Sequence, residues 1–93
     1  MNATATAHPF TIDQAVTSSA IERIALIPAA DGTPAYDAQI TFQGGRQYVY
    51  SVEDDATAEQ WFNLLSDAAD RAATSWGTVV NRAIRHGDIE LAS

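Results

Sequence analysis

The stretch Ala38–Val52, AQITFQGGRQYVYSV, constrains the fold more than any other part of the chain. Ala38, Ile40 and Phe42 alternate with polar residues on one side of Gly44-Gly45, and Tyr48, Tyr50 and Val52 alternate on the other. Period-two alternation gives a strand one apolar face, and a glycine pair supplies the positive φ angles of a tight hairpin. The segment therefore predicts two antiparallel strands, and whatever surrounds it must cover their apolar side.

The turn sets which side that is. A two-residue turn at Gly44-Gly45 pairs Gln43 with Arg46 and turns the tyrosines away from Ile40 and Phe42. A three-residue loop, Gln43-Gly44-Gly45, ending in a left-handed glycine bulge pairs Phe42 with Arg46 instead. Ile40 then stands beside Tyr48, and Ala38 beside Tyr50. A slip of one residue moves every side chain to the opposite face. The bulged loop is the expected one, because it gathers all the bulky residues except Val49 on one face. Tyr48 and Tyr50 are then half-buried core with their hydroxyls at the rim; the alternative is an exposed surface on which nucleic-acid bases stack.

With 93 residues the chain has room for one domain and a modest core. No apolar run approaches the roughly 18 residues of a membrane helix. The start, MNATATAHPF, lacks the basic and apolar regions of a secretory signal. The absence of cysteine excludes disulfides, thiol catalysis and thiolate metal sites, and fits a cytoplasmic location. Twelve acidic side chains against five basic ones, all arginine, give a net charge of −7. That balance opposes nucleic-acid or anionic-membrane binding, both of which use clustered positive charge, and it allows a basic partner.

Residues 1–15 read as a flexible N-terminal arm, with Phe10, Ile12 and Val16 forming an irregular segment or short strand folded back on the domain. Ser18–Ile27 predicts the first full strand. Its end, Ile24-Ala25-Leu26-Ile27, is apolar on both faces and so needs cover on both sides. Helices supply one cover; the arm, or a second copy of the chain in a homodimer through the sheet, supplies the other. Pro28–Ala35 carries turn chemistry in Asp31-Gly32 and two prolines. After the hairpin, Glu53-Asp54-Asp55 leads into a helix with Thr57 and Gln60 as a capping box and an apolar stripe of Trp61, Leu64, Leu65, Ala68 and Ala72. Asp67 and Arg71 are spaced as a helical ion pair. A break near Thr74 precedes a second helix, capped by Ser75, with Val79, Val80, Ala83 and Ile84 inward and Gly87 at its end. Residues 88–93 are a tail that frays or adds a short edge strand. The expected fold is α+β: a three-stranded antiparallel meander followed by two helices on one face, β-β-β-α-α.

Catalytic patterns are missing. No G-x-S-x-G elbow or phosphate loop occurs, and Gly44-Gly45 is followed by Arg-Gln rather than by lysine and a helix. His8 lies in the arm. His86, Asp88 and Glu90 form H-x-D-x-E, a weak metal pattern with a single imidazole, so no metal or cofactor is expected. Arg82, Arg85 and His86 cluster at helical spacing, reading as compensation of the helix dipole and pairing with the acidic first helix, with an anion contact as the alternative.

The order of motifs resembles the KTSC domain, a family found at the C-terminus of some lysyl-tRNA synthetases and alone in small bacterial and phage proteins. The resemblance spans Val16 to Gly87. It rests on Ser18-Ser19 with Ile21, Ile40-x-Phe42 with the glycine turn, Tyr48-Val49-Tyr50 as the central Y-x-Y, and Ser75-x-Gly77 followed by Val80-Asn81. The resemblance implies no defined activity, since the family's own function is not established, and RNA binding is suggested for it partly through the synthetase connection. This chain departs from the family in its acidic end, Asp88-Ile89-Glu90-Leu91, and in its long Pro28–Ala35 loop.

The expectation is thus a non-enzymatic, cytoplasmic module contacting another protein, a host factor if the chain is phage-encoded. Ile24, Leu26 and Val49 on an uncovered sheet face are the leading contacts; Trp76 at a helix start is a further candidate, with core burial the favoured reading for it. The alternative is RNA binding through Tyr48, Tyr50, Arg46, Arg82 and Arg85.

Overall fold

The computed structural model describes residues 8–92. Five strands, β1 (Ile12–Ala15), β2 (Ile21–Pro28), β3 (Tyr36–Phe42), β4 (Gln47–Val52) and β5 (Glu90–Leu91), form one antiparallel sheet in sequence order. Three helices, α1 (Asp55–Ser66), α2 (Ala68–Ala73) and α3 (Trp76–His86), lie between β4 and β5. The α+β class and the central meander are as expected; one further strand on each edge and a third helix are additions.

The hairpin takes the bulged register. The Phe42 amide donates to the Arg46 carbonyl at 2.7 Å, and the Gly45 amide to the Phe42 carbonyl at 2.9 Å. Ile40 stands opposite Tyr48, and Ala38 opposite Tyr50. Gly44 and Gly45 both have positive φ, +97° and +91°, which side chains with a Cβ rarely adopt.

The hairpin tip is anchored to the start of β2. The Gln43 amide donates to the Ala20 carbonyl, its side chain to the Ser18 carbonyl, and the Gly44 amide to the Glu22 carboxylate. Across from it, β2 carries a bulge between Ile21 and Arg23: Ile21 pairs with Phe42 and Ile24 with Ile40. Two residues of β3 thus span three steps of β2. The extra residue lets Ile21 and Ile24, three apart, face the same core.

That core is one layer between the sheet and the helices. Ile21, Ile24, Leu26, Tyr36, Ala38, Ile40, Tyr50 and Val52 from the sheet meet Ala58, Trp61, Leu65, Trp76, Val80 and Ala83 from the helices, closed by Ile89. Each large aliphatic side chain so buried contributes about 1.5–3 kcal/mol. The opposite face of the sheet bears Arg23, Ala25, Ile27, Asp37, Gln39, Thr41, Gln47, Val49 and Ser51, in register across β2, β3 and β4.

The helical half departs from the expected pattern in three places. Asp54, rather than Thr57, caps α1: its carboxylate accepts from the Ala56 amide and the Thr57 hydroxyl. Helix α1 stops at Asp67, which is extended (φ −96°, ψ 115°) and caps α2 by accepting from the amides of Ala69 and Asp70. The break rotates Ala68 and Ala72 out to solvent. Asp67 is therefore a cap and not the ion partner of Arg71, whose guanidinium donates to the Leu65 carbonyl at the end of α1. Third, Ile84 is exposed, because Trp76, Val80 and Ala83 form the inner stripe of α3.

Helix α3 ends at Gly87 in a left-handed conformation, with the Gly87 amide donating to the Ile84 carbonyl and the Asp88 amide to the Ala83 carbonyl. This double closure reverses the chain. Ile89 drops into the core, and Glu90 and Leu91 pair with Ser51 and Tyr50. On the other edge, β1 pairs with β2 from Ile12↔Leu26 to Ala15↔Arg23, so this part of the arm takes the short-strand alternative. His8 is tied down as well: its Nε2 lies 2.9 Å from the Ala35 carbonyl and 3.2 Å from the Thr33 carbonyl, and its ring meets Tyr36 edge-on at 5.0 Å. Residues 1–7 and Ser93 of the expected arm and tail lie outside the described residues.

Candidate functional site

The structure separates the residues singled out in the sequence. Ile24, Leu26 and Trp76 are fully buried beneath the helices. For Ile24 and Leu26 this corrects the expected place on an uncovered face: the apolar run of β2 sends both inward together, on the face opposite Val49, whereas core burial is what the sequence favoured for Trp76. Trp76 is held by its Nε1–H, which donates to the Arg71 carbonyl at 3.2 Å, and by edge-on contact with Trp61 at 5.9 Å.

The tyrosines split in the same way. Tyr50 is 8% exposed and packs in the core, while Tyr48, nearer the hairpin tip, is 36% exposed and stands edge-on to Phe42 at 5.7 Å. Burial raises the Tyr50 phenol above its ordinary value, with a smaller contribution from the charge of Tyr48. A stacking platform of two exposed tyrosines is not formed.

What remains on the surface lies in two places. Leu91, 62% exposed, is opposite Tyr50 on β5, so it shares a sheet face with Tyr48, two residues along β4. Ile84, 40% exposed, stands on the flank of α3 nearest Asn81, while Arg82 and His86, also exposed, project from the other side of the helix. The sequence pointed to Arg82, Arg85 and Tyr48. It gave Leu91 no role beyond a weak alternation and placed Ile84 inside, since a helix with an apolar residue at each flank of its stripe does not say which flank is covered.

The basic residues are held differently from one another. Arg23 pairs with Asp13 at 2.6 Å across the β1–β2 ladder, both largely exposed. Arg71 serves the end of α1. Among the described residues no carboxylate lies within ion-pair distance of Arg46, Arg82 or Arg85, so the expected pairing of α3 with the acidic first helix is absent. Arg82 instead lines a groove of about 100 Å³ between α1 and α3, with Thr57, Gln60, Trp61, Val79, Ala83 and Asp88.

At the sheet end carrying the β2–β3 loop, Asp31, Thr33, Pro34, Ala35, Ser51 and Glu53 line a shallow groove of about 370 Å³. Asp31 closes its own loop, accepting from the amide and hydroxyl of Thr33. The amide bond is the larger cause holding its carboxyl below the ordinary value. Asp88 and Glu90 line a smaller adjoining hollow with Ser51, Glu53 and Gly87, and His86 is not part of it. Among the described residues no three His, Asp or Glu side chains gather closely enough to hold a metal ion, and none of the described helices is long and apolar enough to cross a membrane.

The architecture is that of a small α+β domain, a five-stranded antiparallel sheet with helices over one face. Compared with protein-family models, with curated proteins and with solved structures, the chain matches none of them.

Proposed function

We propose that this chain is a small non-enzymatic module that binds another protein. The observation carrying this reading is the exposure of Tyr48, Ile84 and Leu91 where the other large apolar side chains among the described residues are buried or half-buried. Scattered surface apolar residues are ordinary, but Tyr48 and Leu91 share one face of neighbouring strands, and Ile84 adds an exposed apolar side chain on α3. Kinship with the KTSC domain belongs to the same proposal and rests on the order of sequence motifs from Ser18-Ser19 to Val80-Asn81. A cytoplasmic location, in the host if the chain is phage-encoded, is part of it too.

The test is affinity capture from a lysate of the cells that encode the chain, with and without nuclease. A protein retained after nuclease, and lost when Tyr48, Ile84 and Leu91 are each replaced by serine, is the expected result. Recovery that vanishes with nuclease would replace this reading with RNA binding.

A further inference from the structure

We infer that β1 is the docking edge for a second copy of this chain. Two β1 strands pair antiparallel about a two-fold axis at Gln14 and join the two five-stranded sheets into one. The contact lies on the opposite edge of the sheet from Tyr48 and Leu91, so it goes beyond the protein-binding reading and does not depend on it.

The backbone of β1 leaves this edge open. The Val16 amide donates to the Glu22 carbonyl, which continues the β1–β2 ladder one step past Ala15. Backbone direction alternates along a strand, so Ile12, Gln14 and Val16 turn their amides and carbonyls to β2, while Asp13 and Ala15 turn theirs away. Among the described residues no strand lies beyond β1. The side chains alternate too: Asp13 and Ala15 are exposed, and Ile12, Gln14 and Val16 are half-buried on the core side.

Sheet edges are blunted against pairing by short strands, bulges, prolines or charges. The far edge is blunted in this way, because β5 has only two residues. β1 has four, with neither proline nor register shift, and its one charge, Asp13, is offset by Arg23 on the neighbouring strand.

The sequence of this edge complements itself. Asp13 and Ala15 pair only with outward-turned residues, so the axis of a symmetric antiparallel pair falls at Asp13, Gln14 or Ala15. At Asp13 it sets two carboxylates opposite each other, in chains that each carry −7, and Ile12 against Gln14. At Ala15 it sets Gln14 against Val16 and Ile12 against Ser18. At Gln14 each Asp13 faces Ala15 and each Ile12 faces Val16, so apolar meets apolar and the carboxylates stay apart. Both amides and both carbonyls of Asp13 and Ala15 then gain partners in each copy. A strand of another protein has the same backbone to offer but not this reciprocity, which is the mark of a two-fold interface.

Sedimentation equilibrium in about 1 M salt, where the Debye length of about 3 Å screens repulsion between the acidic chains, should give twice the chain mass. Ala15→Pro removes an amide that the β1–β2 ladder does not use and should be monomeric with native circular dichroism. A native chain still monomeric at millimolar concentration, or a folded Ala15→Pro variant that stays dimeric, would overturn the inference, and either result leaves the reading at Tyr48, Ile84 and Leu91 standing. The chain has no cysteine, so a single introduced one reports the register. Residues facing each other at the axis stand about 4.5 Å apart at Cα, within disulfide reach. Gln14→Cys should oxidise to a covalent dimer at least about tenfold faster than Asp13→Cys or Ala15→Cys. Equal rates at the three positions, or the fastest cross-link at either neighbour, would overturn the axis at Gln14.

Discussion

Trp61 and Trp76 meet edge-to-face at 5.9 Å with their rings 78° apart, each no more than 1% exposed. Through this contact α1 and α3 become one layer, and α2 is fixed by the same pair, since the Trp76 indole donates to the Arg71 carbonyl. Removing either ring opens a large cavity. Trp76→Ala also leaves the Arg71 carbonyl without its donor. Truncation of a buried tryptophan costs about 3–5 kcal/mol, against a total of roughly 5–15 kcal/mol for a domain. Urea denaturation followed by far-UV circular dichroism should show Trp76→Ala losing most of its stability, and Trp76→Phe losing distinctly less.

Glycines 77 and 87 bracket α3 and should answer differently to alanine. Gly87 has φ +76°, a conformation that costs a residue with a Cβ about 1–2 kcal/mol. Gly87→Ala should therefore lower stability by about that amount and loosen the turn that seats Ile89. Gly77 has ordinary helical geometry, where alanine is favoured by up to about 1 kcal/mol. A Cβ there would stand 3.2 Å from the Ala20 Cβ, so the neighbour must yield by a few tenths of an ångström. The two effects oppose, and Gly77→Ala should lie near neutral in the same denaturation series.

These positions also mark how far the sequence could be read. The meander and its register were legible because period-two alternation and a glycine pair act locally, and the Gly87 helix end because one residue's conformational freedom decides it. The four-residue β1 and two-residue β5 carry too weak an alternation to decide between strand and frayed chain, and pairing with β2 and β4 decides it. The break at Asp67 was hidden because alanines continue the apolar spacing of α1, while the aspartate side chain favours capping the next helix. At the surface, Arg82, Arg85 and Tyr48 were legible as polar or amphipathic residues at the rim. The burial of Ile24 and Leu26 was not, since a strand apolar on both sides does not reveal which face the helices choose.

Tyr50 gives the fold an alkaline limit. Burial raises its phenol above the ordinary 10.0, so the native state holds the neutral form more tightly than the unfolded chain does. Stability from this source is fully present below the unfolded value and is lost as pH rises through the higher native value. Denaturation midpoints measured from pH 8 upward through the tyrosine range should fall more steeply for the native sequence than for Tyr50→Phe. Tyr48→Phe should retain most of the fall, because Tyr48 is the lesser contributor to the shift.

Tyr36 joins the segment before β1 to the sheet. Its hydroxyl accepts from the Phe10 amide at 2.9 Å, and its ring receives His8 edge-on and Phe10 at 6.4 Å. Phe10 in turn packs on Phe62 of α1 at 5.8 Å, so one phenol bears on both the edge strand and the first helix. Tyr36→Phe keeps every ring contact and deletes the acceptor. A part-buried amide left without its partner costs about 1 kcal/mol, the low end for unsatisfied groups. The loss should appear locally before it appears globally, because edge segments open below the free energy of full unfolding. Hydrogen exchange should quicken at Phe10 in Tyr36→Phe by about fivefold, the factor that about 1 kcal/mol represents. The amides of Ile24 and Ile40 should change only in step with the small drop in global stability. Equal acceleration at all three would show that the Tyr36 hydroxyl supports the whole sheet rather than its edge.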